Sequence, residues 1–254
     1  MHQPTLRVLQ ILETVASTNK EIRLSEFSRR LDIPKSTLLP ILQTLCQQRY
    51  LVQDDVGRYQ AGTALFSLGA GFSDSFPILK YVHQQLEFLV NTLGETCYFG
   101  ILDGNCVLYL DKVDSPQPLR MLTSIGKKLP AYSTGIGKAL LIGKTEDQLR
   151  QLYPEGLQPL TDRTITDFRQ LADQLNQAMT DGYAWEIEES TPHVRCFAVP
   201  VWKFGKAVAA VSVSIPLFRY SEQNRDKLIC ALQDTVSSLS KTIENTNAHL
   251  GESF

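Results

Sequence analysis

The chain has 254 residues, of which 43% are hydrophobic and 20% charged, and a formal net charge of −2. That composition is ordinary for a globular protein and excludes disordered and fibrous classes. No fixed repeat period or sustained heptad run extends over the chain, which sets aside solenoids and coiled-coil rods, and at roughly 100–200 residues per domain the length suggests about two domains.

The near-neutral total conceals an asymmetry. Residues 1–60 carry eight Lys and Arg against six Asp and Glu, whereas residues 61–254 carry seventeen against twenty-one. A nucleic-acid surface is therefore expected only at the front, and as a local patch. No stretch approaches the ~18 consecutive apolar residues of a membrane span, and residues 1–7 hold no apolar segment of signal-peptide length. A cytoplasmic protein with no membrane partner is expected. The five cysteines are an odd number without zinc-ligand spacing, so they read as buried free thiols in a reducing compartment. The four histidines are scattered, and neither a metal nor a cofactor is expected.

Taken in order, Leu6, Val8, Leu9, Ile11, Leu12 and Val15 place an apolar stripe on a helix over residues 5–18, ended by Asn19 and Lys20. A second helix is expected to be capped by Ser25, with Glu26 in its first turn. Pro34 suits the first position of a third helix that runs to Gln48. There Leu38, Ile41, Leu42 and Leu45 form the buried face and Lys35, Ser36, Thr37 and Leu39 stay at the exposed N-terminal end. Tyr50 to Val52, a polar turn at 54–57, and Arg58-Tyr59 read as a two-stranded hairpin. Three helices and a hairpin are the order of a winged helix-turn-helix, whose third helix enters the major groove of double-stranded DNA. Lys35, Ser36 and Thr37 are donors at a helix start, where the dipole also favours phosphate, and Arg58 stands on the wing. A docking module without DNA affinity has the same periodicity.

Residues 62–76 suit a connecting helix, and Ile78 to Leu93 a longer amphipathic one closed by Gly94. A hairpin turns at Asp103-Gly104-Asn105. Helices are expected over 137–142, 146–152 and 167–180, strands over 194–202 and 207–215, and a last helix from Glu222. Strands in an antiparallel sheet with helices packed around it make this an α+β domain.

Three segments of it can build a pocket. The turn from Tyr132 to Ala139 opens a helix whose bare amides suit an anion. It is not a nucleotide-hydrolysing loop, because Tyr132 and Ala139 stand where such a loop needs Gly and Ser or Thr. Strand alternation puts Ser212 and Ser214 on one face, opposite Val211 and Val213. Last, carboxylates at Glu186, Glu188 and Glu189 occupy a loop before a strand that carries Cys196. An enzyme would use Cys196 as nucleophile with His193 as base, a spacing that by itself aligns nothing.

With these segments in view, the chain resembles the IclR family of bacterial transcriptional regulators over nearly its whole length. The resemblance rests on Pro34-Lys35-Ser36-Thr37, Gly57-Arg58-Tyr59, the run from Leu129 to Leu140, Glu188-Glu189, and the run from Arg195 to Val201 with Ser212-Val213-Ser214. It implies a winged helix-turn-helix over residues 1–61, a linker helix over 62–76 and a GAF-like α/β effector-binding domain over 77–254. It further implies assembly as a homodimer or dimer of dimers, operator DNA as partner, and a non-catalytic pocket. The DNA contacts it implies are Lys35, Ser36, Thr37, Leu39 and Arg58, and the effector contacts Leu129, Gly135, Ile136, Glu186, Cys196, Ser212 and Ser214. Two departures stand out: Glu186 replaces the usual Asp, and Pro40 replaces a basic or polar residue of the recognition helix. Lys112-Val113-Asp114, Leu119-Arg120-Met121 and Arg163 to Thr166 look most like the branch that controls sugar-acid catabolism, such as ketodeoxygluconate-responsive repressors. The effector expected is a hydroxylated carboxylate, and the function a repressor of a carbon-source catabolic operon.

Overall fold

The computed structural model describes residues 1–18, 20–74, 76–118 and 123–245. The chain divides into two compact units, Met1–Pro77 and Ile78–Phe254. Among the described residues no helix is long and apolar enough to cross a membrane.

In the first unit, α1 (Gln3–Ala16) carries Pro4 in its first turn, where the missing N–H costs nothing, and buries Ile11 and Val15. Asn19, one of its expected stops, lies outside the described residues. α2 (Leu24–Leu31) starts earlier than the cap at Ser25 requires. Arg23 occupies the cap position without a side-chain bond, because Ile22–Arg23 forms a short strand, β1, paired with Tyr59 and Arg58. Two residues are too few for any periodicity to announce. A left-handed Asp32 (φ 52°) ends α2, and α3 (Lys35–Gln47) follows with Pro34 at the cap position, one place before the expected one. β2 (Leu51–Gln53) and β3 (Arg58–Ala61) complete a sheet of order β1-β3-β2. Ile11, Ile22, Phe27, Leu38, Leu42 and Leu51 are its innermost side chains. α4 (Thr63–Asp74) is the connecting helix, and it begins on this unit through Gly62 N–H to Tyr50 O and Ala64 N–H to Arg49 O.

The second unit opens with α5 (Ile78–Leu93), then β4 (Thr96–Asp103), β5 (Cys106–Val113) and β6 (Lys128–Pro130). Next come α6 (Gly135–Leu141), α7 (Glu146–Leu152), α8 (Phe168–Asp181), β7 (Ala184–Ile187), β8 (Val194–Lys203), β9 (Lys206–Pro216) and α9 (Arg225–Glu244). The sheet order is β6-β5-β4-β9-β8-β7, antiparallel throughout. This gives the α+β class expected, with α5 and α9 against one face and α6 and α8 against the other. β7 corrects the reading of Glu186 as a loop residue: it is an edge strand paired with β8, with Glu186 opposite Cys196. Its four residues, two of them Trp185 and Glu186, lack the apolar alternation that marks a strand in sequence. The cysteines are free, but only Cys97 and Cys196 are buried; Cys230 is exposed.

Pro40 sits inside α3 on its exposed side, and the helix continues past it. Having no N–H, it leaves the Ser36 carbonyl without its helical donor. An interior proline costs a helix about 3 kcal/mol, partly offset by the ~1 kcal/mol it removes from the freedom of the unfolded chain. Pro40→Arg is therefore expected to stabilise the protein by about 1–2 kcal/mol. Thermal unfolding checks this, and a melting temperature that falls by several degrees would show that the ring belongs to the native packing.

Candidate functional site

The α6/α8 face of the sheet holds a cavity of about 440 Å³. Its floor follows from strand register. Ser214 lies opposite Cys196 on β8 and Thr96 on β4, and Ser212 opposite Ala198 and Tyr98. Side chains on paired strands at opposed positions share a face, so Tyr98, Cys196, Ser212 and Ser214 converge on the space beneath α6. Leu129 on β6 and the start of α6 at Gly135 and Ile136 supply one wall, and Ser190 to His193 in the β7–β8 loop with Val194 at the start of β8 another. Of the seven effector positions expected, the cavity gathers Leu129, Gly135, Ile136, Cys196, Ser212 and Ser214.

Glu186 is not on that wall. It is fully buried one strand behind, opposite Cys196. Its Oε2 accepts the Glu189 N–H at 2.8 Å. Burial pushes its carboxyl up to about 7, and the nearby Glu189 carboxylate works in the same direction. A second buried charge in this layer is Lys138. It is buried on α6, bonds Gln174 Oε1 at 2.6 Å and forms an ion pair with the buried Glu189. Burial lowers the Lys138 pKa and Glu189 opposes that shift. The segment Arg163 to Thr166 holds the same residue: Thr164 Oγ1 donates to the Glu189 backbone carbonyl at 2.7 Å and Ile165 N–H to the carboxylate Oε2 at 3.3 Å. Leu119, Arg120 and Met121 lie outside the described residues.

Glycine lets α6 approach the sheet. A Cβ on Gly135 would stand 2.9 Å from the Cys196 Cβ, and one on Gly137 2.2 Å from the Ala131 carbonyl oxygen. The three bare amides expected at this helix start reduce to two, since the Gly137 N–H is capped by Thr134 Oγ1 at 3.0 Å.

The surroundings of Cys196 work against nucleophilic chemistry. Burial first, then the Glu186 carboxylate, hold its pKa well above the ordinary thiol value, and Sγ is 3.1 Å from Ser214 Oγ. A thiol so placed stays protonated and inert. His193 is a surface side chain whose backbone N–H bonds Glu188.

In the first unit, Lys35, Ser36 and Leu39 are exposed at the start of α3, and Thr37 is half-buried. Arg58 is already engaged: Nε meets Asp54 Oδ2 and Nη1 meets Glu21 Oε2, both at 2.7 Å. Neither acidic partner is evident from the hairpin pattern, because Glu21 reaches Arg58 only through β1.

Residues 5–55 match the IclR helix-turn-helix domain, and residues 71–241 match the family described as bacterial transcriptional regulator IclR C-terminal. The HTH-type transcriptional regulator KdgR of Escherichia coli K12 is 34% identical over 239 residues, 92% of this chain and 90% of its own length. The acetate operon repressor of Salmonella typhimurium LT2 is 32% identical over 89% of this chain and 84% of its own. A transcriptional regulator from Rhodococcus sp. RHA1, known from its crystal structure, superposes with a TM-score of 0.80 at 27% identity, over 97% of this chain and all of that one.

The raised carboxyl of Glu186 carries a pH signature. Its folded pKa of about 7 exceeds the ordinary 4.5, so the stability linked to its protonated form is fully present below about pH 4.5 and is lost as pH rises through 7. The loss is on the order of 3 kcal/mol. Glu186→Gln cannot ionise, so urea unfolding at pH 5, 6.5 and 8 is expected to show the variant gaining on the wild type as pH rises. Parallel stability curves would place the Glu186 pKa near its ordinary value.

Proposed function

Because the chain belongs to the IclR family of bacterial transcriptional regulators, we propose that it represses a carbon-source catabolic operon and responds to a small hydroxylated carboxylate bound in the cavity of its second unit. It is a DNA-binding regulator and not an enzyme, as its relatives are. The observation that carries the effector reading is the convergence of Gly135, Ile136, Cys196, Ser212 and Ser214 on one cavity from three separate elements. Hydroxyls and free amides there bond a polar acid, while Leu129, Ile136 and Val194 enclose its carbon body. The similarity to KdgR and to an acetate operon repressor favours an organic acid from carbon catabolism.

On this reading operator DNA meets Lys35, Ser36, Thr37 and Leu39 at the start of α3 and Arg58 on the wing, in the cytoplasm. Assembly as a homodimer or dimer of dimers is supported by α4, where Phe66 is 81% exposed and Leu68 and Phe72 are exposed too. Effector contact is assigned to Glu186 only through Cys196, which stands between it and the cavity.

Two outcomes test the proposal. Lys35 pairs with no acidic group among the described residues, so Lys35→Ala is expected to lower the salt slope of operator binding by about one unit. Arg58→Ala is expected to do the same only if Arg58 exchanges Asp54 and Glu21 for a phosphate, and an unchanged slope in the salt titration removes it from the interface. Replacing Ser212 and Ser214 together by Ala removes two hydroxyl partners at about 0.5–1.5 kcal/mol each, so affinity is expected to fall roughly tenfold or more. Calorimetry with sugar acids and short keto acids reads this directly, and a best ligand that binds both proteins equally would move the effector site elsewhere.

A further inference from the structure

One polar group in the cavity has no place in the fold's own bonding. Tyr98 on β4 is 3% exposed, and its hydroxyl is buried with no hydrogen-bond partner among the described residues. Thr123 faces the same hydroxyl without closing a bond of normal geometry. Directly opposite on β9, Ser212 is 2% exposed and lines the same cavity. Ser214, by contrast, is engaged with Cys196, and Thr134 with the Gly137 amide. The unengaged Tyr98 hydroxyl and Ser212 are thus neighbours on one cavity wall. The Tyr98 ring is fixed in place by Tyr109, edge-on at 5.3 Å between centroids, and by the Lys112 ammonium 5.9 Å from its centroid.

Buried polar groups are almost always bonded, and one left without a partner loses its hydration for nothing. Phenylalanine fills the same space without that loss. The hydroxyl is therefore accounted for by an acceptor that the described residues do not supply. We propose that Tyr98 is a specificity-determining contact of the effector, its phenol donating to an oxygen of the ligand's carbon body that Ser212 bonds from the other side. This rests on the effector reading of the cavity and narrows it: the pocket selects acids with a keto or hydroxyl oxygen beyond the carboxylate over acids of the same size without one. A keto oxygen accepts from both hydroxyls, and a ligand hydroxyl accepts from Tyr98 while donating to Ser212. A site built to bond an oxygen discriminates strongly against the analogue that lacks it, because its own polar groups stay unpaired.

The test uses the full-length protein and its Tyr98→Phe variant, with 2-keto-3-deoxygluconate, gluconate, 2-ketohexanoate and 4-hydroxybenzoate as probes and hexanoate and benzoate as oxygen-poor counterparts. Calorimetry is expected to show at least one oxygen-bearing acid binding the wild type and its counterpart binding at least about tenfold more weakly. In Tyr98→Phe that preference is expected to shrink by about tenfold, mainly through weaker binding of the oxygen-bearing acid. The free variant is expected to melt at or above the wild-type temperature, since no bond within the fold is lost. Unchanged preference in the variant overturns the proposal and leaves the effector reading standing. A melting temperature lowered by several degrees overturns it too, by showing that the hydroxyl holds the fold. If none of the acids binds the wild type, the effector class itself fails and this proposal fails with it.

Discussion

Lys138 is a full charge placed in a dry interior, and much of the second unit is arranged around that demand. An ammonium taken out of water needs a matched anion and further acceptors, or it loses its proton. Glu189 supplies the anion and Gln174 the acceptor. Gln174 then donates from Nε2 to Trp185 O at 3.2 Å, so one cation ties α6, α8, β7 and the β7–β8 loop together. Removing one partner of such a pair costs about 3–5 kcal/mol, because the other charge remains buried. Two of the cavity's walls, the start of α6 and the loop carrying Ser190 to His193, are held by this single point.

The same cation explains the state of Glu186. One lysine stands near two carboxylates, and Glu189 takes the close contact. Glu186 is left buried, and burial favours its neutral form by more than the Glu189 N–H and the Cys196 thiol favour the carboxylate. A carboxyl raised to about 7 beside a protonated thiol gives the cavity a polar flank that loses its charge as pH falls below 7. Charge recognition of an acid then falls to groups in front of it, and shape to the carbon walls.

Close approach of α6 to the sheet is the second requirement, and it is met by small residues on both sides. Gly135 and Gly137 face Cys196 and Ala131 at distances no side chain allows, and Ala198 and Ala210 line the sheet beneath. Where the strands instead carry Tyr98 and Tyr109, the layers are held apart and the cavity opens. In the first unit the chemistry is reversed: Lys35 at the α3 start keeps its charge in solvent, while Arg58 on the wing is held by Glu21 and Asp54 until something of stronger charge displaces them.

The division of the chain, the three-helix order of the front, the antiparallel hairpins and the shared face of Ser212 and Ser214 all follow from local periodicity, since helices repeat at 3.6 residues and strands at two. Six of the seven pocket positions that the resemblance implies line the cavity, and they come from motif segments matched to the family and not from periodicity. What periodicity does not carry is pairing between distant segments. β1 and β7 are strands only because β3 and β8 lie beside them, and Glu186 lies one strand beyond Cys196, outside the cavity lining, because β7 pairs where it does. Lys138 is buried only because Glu189, 51 residues later, meets it. Arg58 is neutralised by a residue 37 positions earlier. Tyr98 lies in an apolar run that reads as core, and only the register of β4 on β9 sets its hydroxyl beside Ser212. Charge compensation and hydroxyl satisfaction are long-range by nature, because a polar side chain is judged by what the rest of the fold brings to it.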